Sequence, residues 1–401
     1  MLKNVLYKAV LFTGVCLACA ACSQEDDATP YAGGGEGVTV LYRVADAPAT
    51  RAMEDGWTGD WHENTVSSLV LFQFAANGEL KDRILPSNWS SFDAQNGTFY
   101  TFNTNSLTYN ELADNPTDVF YLVANCPQLE TATINSVADL QAAMINGSLD
   151  FDGQQQSFVM DARTSQDSTD LYKINPDAKT ATLRFQLYRA TAKIRVTVND
   201  GNGNNILADC RYRLFNYVPA GTSVLAESEA YGEGTGQSRL TTDGFQAFKL
   251  TYDGKAVFYS YPNDWFDESL LVSDGTFADP VIYTKDDLID EEKQTYIMLK
   301  APYTDGNTYY YKVPVNFTMA DNSDKDGFTA AEIETLRSGY YRINRNCLYD
   351  ITVTIDRAGG PLTEPVTPRF HIRVNDWQKG GDYNIGQGEF EYEKGKAPSA
   401  S

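Results

Sequence analysis

The side chains that most often carry chemistry are few and scattered in this chain. Histidine occurs only as His62 and His371. A metal site or an acid–base pair needs such residues at short, fixed spacings, and neither stands in one. His62 precedes an apolar alternating run and His371 points away from Phe370 and Ile372, so both read as solvent-facing structural residues. There is no Gly-x-Ser-x-Gly elbow, no His-Glu-x-x-His pair and no phosphate loop of the Gly-Lys-Ser/Thr type. Gly232-Glu-Gly-Thr-Gly236 is a glycine loop without the strand and helix that a nucleotide site requires. Carboxylates are abundant, but their spacing singles out no acid pair. Asn322-Ser-Asp-Lys-Asp-Gly327 matches the opening positions of a calcium loop, yet Ile333 occupies the twelfth position where a bidentate Glu belongs. It reads as an acidic turn before a helix. The expectation is a protein that is not an enzyme, with no catalytic residue, no metal and no cofactor.

The informative residues lie at the N-terminus. Lys3 and Lys8 precede an apolar and small-residue run, Ala9 to Ala21. That run is too short to span a bilayer, which takes ~20 apolar residues, and it has the layout of a secretory signal. Ala20 and Ala21 lead into Cys22 and then the polar Ser23-Gln24-Glu25-Asp26-Asp27. This resembles the lipobox of bacterial lipoproteins, in which the cysteine is acylated and becomes the new N-terminus. Cys19 stands where Leu is usual, and Cys16 and Cys19 compete as sites, but only Cys22 is followed by an acidic run. An ordinary signal peptide is the plainer alternative. Ser23 to Asp27 also resembles the export signal that places lipoproteins of Bacteroidota on the outer face of the outer membrane. Beyond Cys22 remain Cys126, Cys210 and Cys347, an odd and widely spaced set expected to be buried and free. A formal net charge of −22 disfavours nucleic acid and anionic lipid as partners.

The elements around these residues are predicted to be strands. Val66 to Phe74, Val119 to Ala124, Leu183 to Arg189, Ala192 to Val198, Val257 to Tyr261, Thr295 to Lys300, Tyr309 to Phe317, Tyr340 to Asn344, Leu348 to Ile355 and Phe370 to Val374 are rich in aromatic and β-branched residues. Helices are expected only over Ser136 to Ile145 and Thr329 to Arg337. Many short strands with Gly, Asn and Asp turns indicate an all-β fold of tandem sandwiches, with a boundary near residues 175–182. Ahead of them, Tyr31 to Gly37 is a glycine-rich tether. Val38, Val40, Tyr42 and Val44 then alternate on one face of a strand, and a short stretch ends at Arg51-Ala52.

Several segments together resemble the fimbrillin family, the subunits of type V pili in Bacteroidota. They are Ala49-Thr-Arg-Ala52, Trp61 to Val66 leading into Leu69 to Phe74, Gly78-Glu-Leu80, Phe120 to Cys126, Tyr188 to Val196, Tyr341 to Asn346 with Tyr349 to Val353, and Arg373 to Trp377. The resemblance implies two transthyretin-like Greek-key β-sandwiches in tandem. It divides the chain into a lipoprotein signal peptide (1–22), a propeptide with tether and removable strand (23–51), an N-terminal sandwich (52–180), a C-terminal sandwich (181–379) and a tail (380–401). It also implies a mechanism. The subunit reaches the outer membrane surface on its lipid, and an arginine-specific protease cuts, here between Arg51 and Ala52. The strand carrying Val38, Val40, Tyr42 and Val44 is lost, and a C-terminal strand of another subunit fills the groove. Arg43 is a second basic site, but inside the strand. The donor is expected in the tail, with Tyr383, Ile385, Phe390 and Tyr392 behind the Gly380-Gly381 hinge, and Phe370 to Val374 is the alternative.

On this reading the partners are other pilin subunits, anchor and tip subunits, the protease, and a host or bacterial surface receptor. The fibre is a surface fimbrium serving adhesion, with a stalk role favoured over a tip role. Asp167-Ser-Thr169 resembles the O-glycosylation sequon of exported Bacteroidota proteins, with Ser168 as acceptor, and reads equally as a polar loop. The rival function is a surface glycan-binding lipoprotein that presents an aromatic platform from residues such as Trp57, Trp61, Trp89 and Trp265.

Overall fold

A computed structural model describes residues 37–44, 65–86, 90, 92–93, 99–102, 104, 106–142, 157–165, 172–218, 245–248, 254–267, 290, 292–316, 342–376 and 390–392. Cys22, Arg51, Ala52, Ser168, Tyr383, Ile385, His62, the glycine loop 232–236, the acidic loop 322–327 and the second predicted helix lie outside them.

The first unit contains β1 (Gly37–Val44), β2 (Thr65–Val66), β3 (Leu69–Phe74), β4 (Leu80–Ile84), β5 (Phe92–Asp93), β6 (Tyr100–Phe102), α1 (Tyr109–Asp114), β7 (Val119–Ala124), α2 (Val137–Ala142), β8 (Met160–Ser165), β9 (Tyr172–Asn175) and β10 (Thr180–Arg189). Eight of these strands form one sheet in the order β4-β3-β7-β8-β10-β1-β6, with β9 also on β10. Local sequence explains the joints. The β3–β4 hairpin turns at Gly78, whose φ of 84° suits a residue without a Cβ. Helix α1 is started by a capping box, in which the Thr108 hydroxyl accepts from the Glu111 amide and the Glu111 carboxylate accepts from the Thr108 amide. β3 is buried along its whole length, as a strand covered on both faces should be. In β10 the alternation is strict, with Ala181, Leu183, Phe185 and Leu187 inward.

The second unit contains β11 (Ala192–Asp200), β12 (Arg211–Phe215), β13 (Gln246–Ala247), β14 (Ala256–Ser260), β15 (Asn263–Asp264), β16 (Tyr296–Pro302), β17 (Thr308–Pro314), β18 (Arg342–Ile343), β19 (Cys347–Ile355), β20 (Arg369–Asp376) and β21 (Phe390–Tyr392). A five-stranded sheet, β14-β11-β19-β20-β21, and a four-stranded sheet, β13-β12-β16-β17, contribute to a single core. Ile194, Val196 and Ile351 enter it from one sheet, Leu214, Leu299 and Val313 from the other. This is a packed sandwich. The free edge of β17 is covered by the segment that follows β19: the Tyr310 amide donates to the Gly360 carbonyl and the Lys312 amide to the Val366 carbonyl. Covering an edge in this way blocks pairing with other chains.

The fold is all-β with few short helices, as expected. The expected boundary near residues 175–182 instead falls inside the first unit, because β10 pairs with β1, β8 and β9. The change of sheet comes at Ala190 and Thr191, between β10 and β11. Two apolar strands in close succession look alike in sequence whether they pair with each other or part company.

The units are joined by packing as well as by chain. Along β14, Ala256 and Phe258 enter the second core while Val257 and Tyr259 enter the first. Tyr259 meets Phe158 with ring centroids 4.6 Å apart.

Candidate functional site

β1 fills a slot in the first sheet. β1 is an interior strand of the first sheet. It runs parallel to β10, from Gly37 opposite Thr180 to Val44 opposite Leu187, and antiparallel to β6, with Tyr42 opposite Tyr100. Parallel pairing between strands this far apart in sequence has no hairpin to hold it, so side-chain fit must set the register. Val40, Tyr42 and Val44 are 1 %, 1 % and 2 % exposed, and half-buried Val38 packs against the same core. The Tyr42 ring lies between two aromatic neighbours, at 5.9 Å from Tyr100 and 5.8 Å from Phe102. The four residues expected on one face therefore do face the first core.

Burial of Val40, Tyr42 and Val44 contributes roughly 1.5–3 kcal/mol each, so about 5–9 kcal/mol together as an upper figure. Net stabilities of domains are of the order of 5–15 kcal/mol. The strand is thus comparable in worth to the whole margin of the unit that holds it. Emptied, the slot would expose apolar side chains and the unpaired backbone of β10 and β6.

The other face of β1 is different. Arg43 donates from Nη2 to the Gln186 Oε1 at 2.8 Å and lies over the Phe99 ring at 5.0 Å. Arg184 of β10 lies over the same ring at 6.0 Å. Its Nε is buried and has no hydrogen-bond partner among the described residues.

The β10 wall of the slot is anchored from the second unit. Arg345 forms an ion pair with Asp161 of β8, whose side chain is 1 % exposed. The same guanidinium donates to the carbonyls of Tyr188 at 2.8 Å and Arg189 at 3.2 Å, at the end of β10. Asn346, held at a φ of 54°, donates its amide to the Thr191 carbonyl at 2.7 Å and accepts from the Arg189 amide at 3.2 Å.

The C-terminal candidates separate. Phe370 and Ile372 are 1 % and 2 % exposed in β20, an interior strand between β19 and β21. Donating Phe370 to Val374 would dismantle the second core. Phe390 and Tyr392 lie in β21, at the edge of that sheet, with Tyr392 opposite Phe370 and Phe390 opposite Ile372. β21 pairs on one side only, so its departure breaks the ladder to β20 and to no other strand.

Cys126, Cys210 and Cys347 are buried thiols that form no disulfide among the described residues. Burial pushes the thiols of Cys126 and Cys210 up to about 12, which removes their nucleophilicity at neutral pH. Among the described residues no three His, Cys, Asp or Glu side chains gather to hold a metal ion, and no helix is long and apolar enough to cross a membrane. Trp265 corrects the aromatic-platform expectation: it is 0 % exposed in the second core. An indole just beyond a short strand is placed by packing, which residue type alone does not reveal. Trp57, Trp61 and Trp89 lie outside the described residues.

Of the two walls of the slot, β10 matches the strand expected over Leu183 to Arg189, whereas β6 has no counterpart among the expected strands. Tyr100-Thr-Phe102 alternates like a strand and was the available signal for β6. Nothing local announced that β10 would be the parallel neighbour of β1.

No protein-family model and no curated protein matches the sequence. The chain is similar to several solved structures. A fimbrilin from Porphyromonas gingivalis is 13 % identical with a TM-score of 0.46, over 87 % of this chain and 100 % of that one. A C-terminally truncated tip fimbrial protein from the same species is 14 % identical with a TM-score of 0.43, over 84 % and 97 %. A proposed cell adhesion protein from Bacteroides eggerthii is 17 % identical with a TM-score of 0.46, over 86 % and 97 %. Identities this low carry no functional assignment.

Proposed function

We propose that the chain is a fimbrillin-type structural subunit of a cell-surface pilus, made as a lipoprotein and assembled by strand exchange. The observation that carries this is the position of β1. A strand that precedes the rest of the described fold, and is followed by a segment containing Arg51-Ala52, fills an interior slot of the first sheet. An ordinary first strand at a sheet edge would be dispensable, whereas an interior one leaves a two-sided vacancy when removed. Strand addition supplies main-chain hydrogen bonds on both sides and pockets for alternate side chains.

In this reading Cys22 is acylated and the precursor sits on the outer face of the outer membrane. Cleavage after Arg51 frees β1. Arg43 is a poorer site, since a protease binds its substrate extended and unpaired while Arg43 is in a strand bonded on both sides. The tail of another copy then enters between β10 and β6. Phe390 and Tyr392 are the donor residues held on β20 beforehand, with Tyr383 and Ile385 closer to the hinge. Tandem transthyretin-like Greek-key topology, a stalk rather than a tip role, glycosylation at Ser168, and a surface receptor belong to the same proposal.

Limited trypsin digestion of the purified precursor tests it. The expected product is a stable fragment beginning at Ala52, followed by a ladder of oligomers. Digestion that shreds the first unit, or that yields a fragment which stays monomeric at high concentration, would overturn the reading.

A further inference from the structure

Strand exchange as proposed requires something that chooses the incoming strand. Apolar alternation alone is weak discrimination, because many strands have it. The outward face of the slot offers a second criterion. Leu41 is opposite Arg184 and Arg43 opposite Gln186, so these four side chains share that face. Two guanidiniums, Arg43 and Arg184, crowd one ring, Phe99. Among the described residues Arg184 is paired with no carboxylate, in a chain with 54 acidic and 32 basic residues. A carboxylate at the buried position of Leu41, opposite Arg184, must be desolvated, and only a cation such as Arg184 beside it offsets that cost, so the position discriminates by charge.

When β1 leaves, Arg43 leaves with it. Arg184, Gln186 and Phe99 remain. We infer that Arg184 is a specificity determinant of the emptied slot, selecting an entering strand that alternates apolar residues inward with carboxylates outward. The occupant is the tail of a second copy of this chain. There Glu389, Glu391 and Glu393 alternate with Phe390 and Tyr392.

The match does not depend on register. If Phe390 and Tyr392 take the inward positions of Val40 and Tyr42, Glu391 and Glu393 take those of Leu41 and Arg43. If they take the positions of Tyr42 and Val44, Glu389 and Glu391 do. With the strand reversed and Phe390 at the Tyr42 position, Glu391 and Glu389 do. Each alignment replaces the Arg43–Arg184 crowding by a carboxylate beside Arg184, with the Gln186 amide also in reach. The exchange gives up the Arg43–Gln186 hydrogen bond and the Arg43–Phe99 contact and gains a carboxylate beside Arg184, which sets charge as the criterion of choice. Tyr383 and Ile385 have Asn384 between them, so that part of the tail lacks the signature. The charged stretch is therefore the part that reads Arg184.

The test uses the full chain processed by trypsin after Arg51 and a fluorescent synthetic peptide of residues 382–394. The wild-type peptide should bind, more weakly as ionic strength rises. Arg184→Glu should weaken binding roughly tenfold, and a peptide carrying Glu389→Lys, Glu391→Lys and Glu393→Lys should recover it on that variant while failing on wild type. Arg184→Gln serves if Arg184→Glu does not fold, and should lose binding with its salt dependence removed. Binding insensitive to salt, to both Arg184 variants and to the charge-reversed peptide would overturn the assignment of Arg184. No uptake of wild-type peptide at any salt would instead overturn the strand-exchange reading on which it rests.

Discussion

Replacing Tyr42 by Ala in the uncleaved chain should be among the most damaging single changes in the first unit. The phenol ring is 1 % exposed and touches Tyr100 and Phe102, so nothing else can fill its space without moving β6. Truncating a buried aromatic costs about 3–5 kcal/mol, the transfer of the ring plus the cavity it leaves. For a unit of this size that corresponds to a fall in melting temperature of about 6–20 °C. The effect should be local. Tyr42 belongs to the first core, whereas Leu299 and Ile351 belong to the second. Denaturant titration followed by hydrogen exchange should show early opening of β10 and β6 with β11 and β19 slow to exchange. A weaker plug should also exchange more readily, so the uncut variant should form some oligomer where the uncut wild type forms none. A loss of less than about 1 kcal/mol would mean that β1 contributes no core, and the argument from its burial would fall with it.

Arg345→Met removes a guanidinium from the buried Asp161 carboxylate and from the carbonyls at the end of β10, and should cost about 3 kcal/mol; urea unfolding measures it, and an unchanged midpoint would mean that this clasp anchors nothing. Deleting the chain after Gly381 removes β21 and leaves β20 in place, so the melting temperature should shift little while polymer formation after trypsin stops, as light scattering would show. The Cys126 and Cys210 thiols have folded pKa values raised from 9.0 to about 12 by burial, so their contribution is complete below pH 9 and is lost as pH climbs towards 12. Melting temperature should therefore fall over that window, and the fall should shrink in the Cys126→Ala, Cys210→Ala double variant. Neither thiol should react with an aromatic disulfide reagent at neutral pH unless its unit opens.

Much of the fold was legible because alternation reports burial directly. Val119 to Ala124 is β7 residue for residue, and Ala192 to Val198 falls within β11. The inward set of β1 was readable for the same reason: Val38, Val40, Tyr42 and Val44 are separated by Thr39, Leu41 and Arg43. What period-2 patterning omits is the partner. Thr180 to Arg189 alternates as well as any strand, but nothing in it says that its neighbour is β1, well over a hundred residues earlier, rather than β11 next to it. The clasp was equally hidden. Arg345 and Asn346 read as a polar turn, and their role appears only when the fold brings them against β8 and β10. Short aromatic strands such as Tyr100 to Phe102 give too little pattern to separate from a loop.

Hydrogen exchange of the β10 amides, residues 180–187, tests the central claim most directly. It should be read in three samples: uncut precursor, processed chain held dilute with the N-terminal fragment removed, and processed chain after polymer has formed. The amides of this strand that bond to β1 should be protected in the first, open in the second and protected again in the third, while those that bond to β9 stay protected throughout. If the β1-facing amides also stay equally slow in the dilute processed chain, β10 never lost a neighbour, and β1 is no plug.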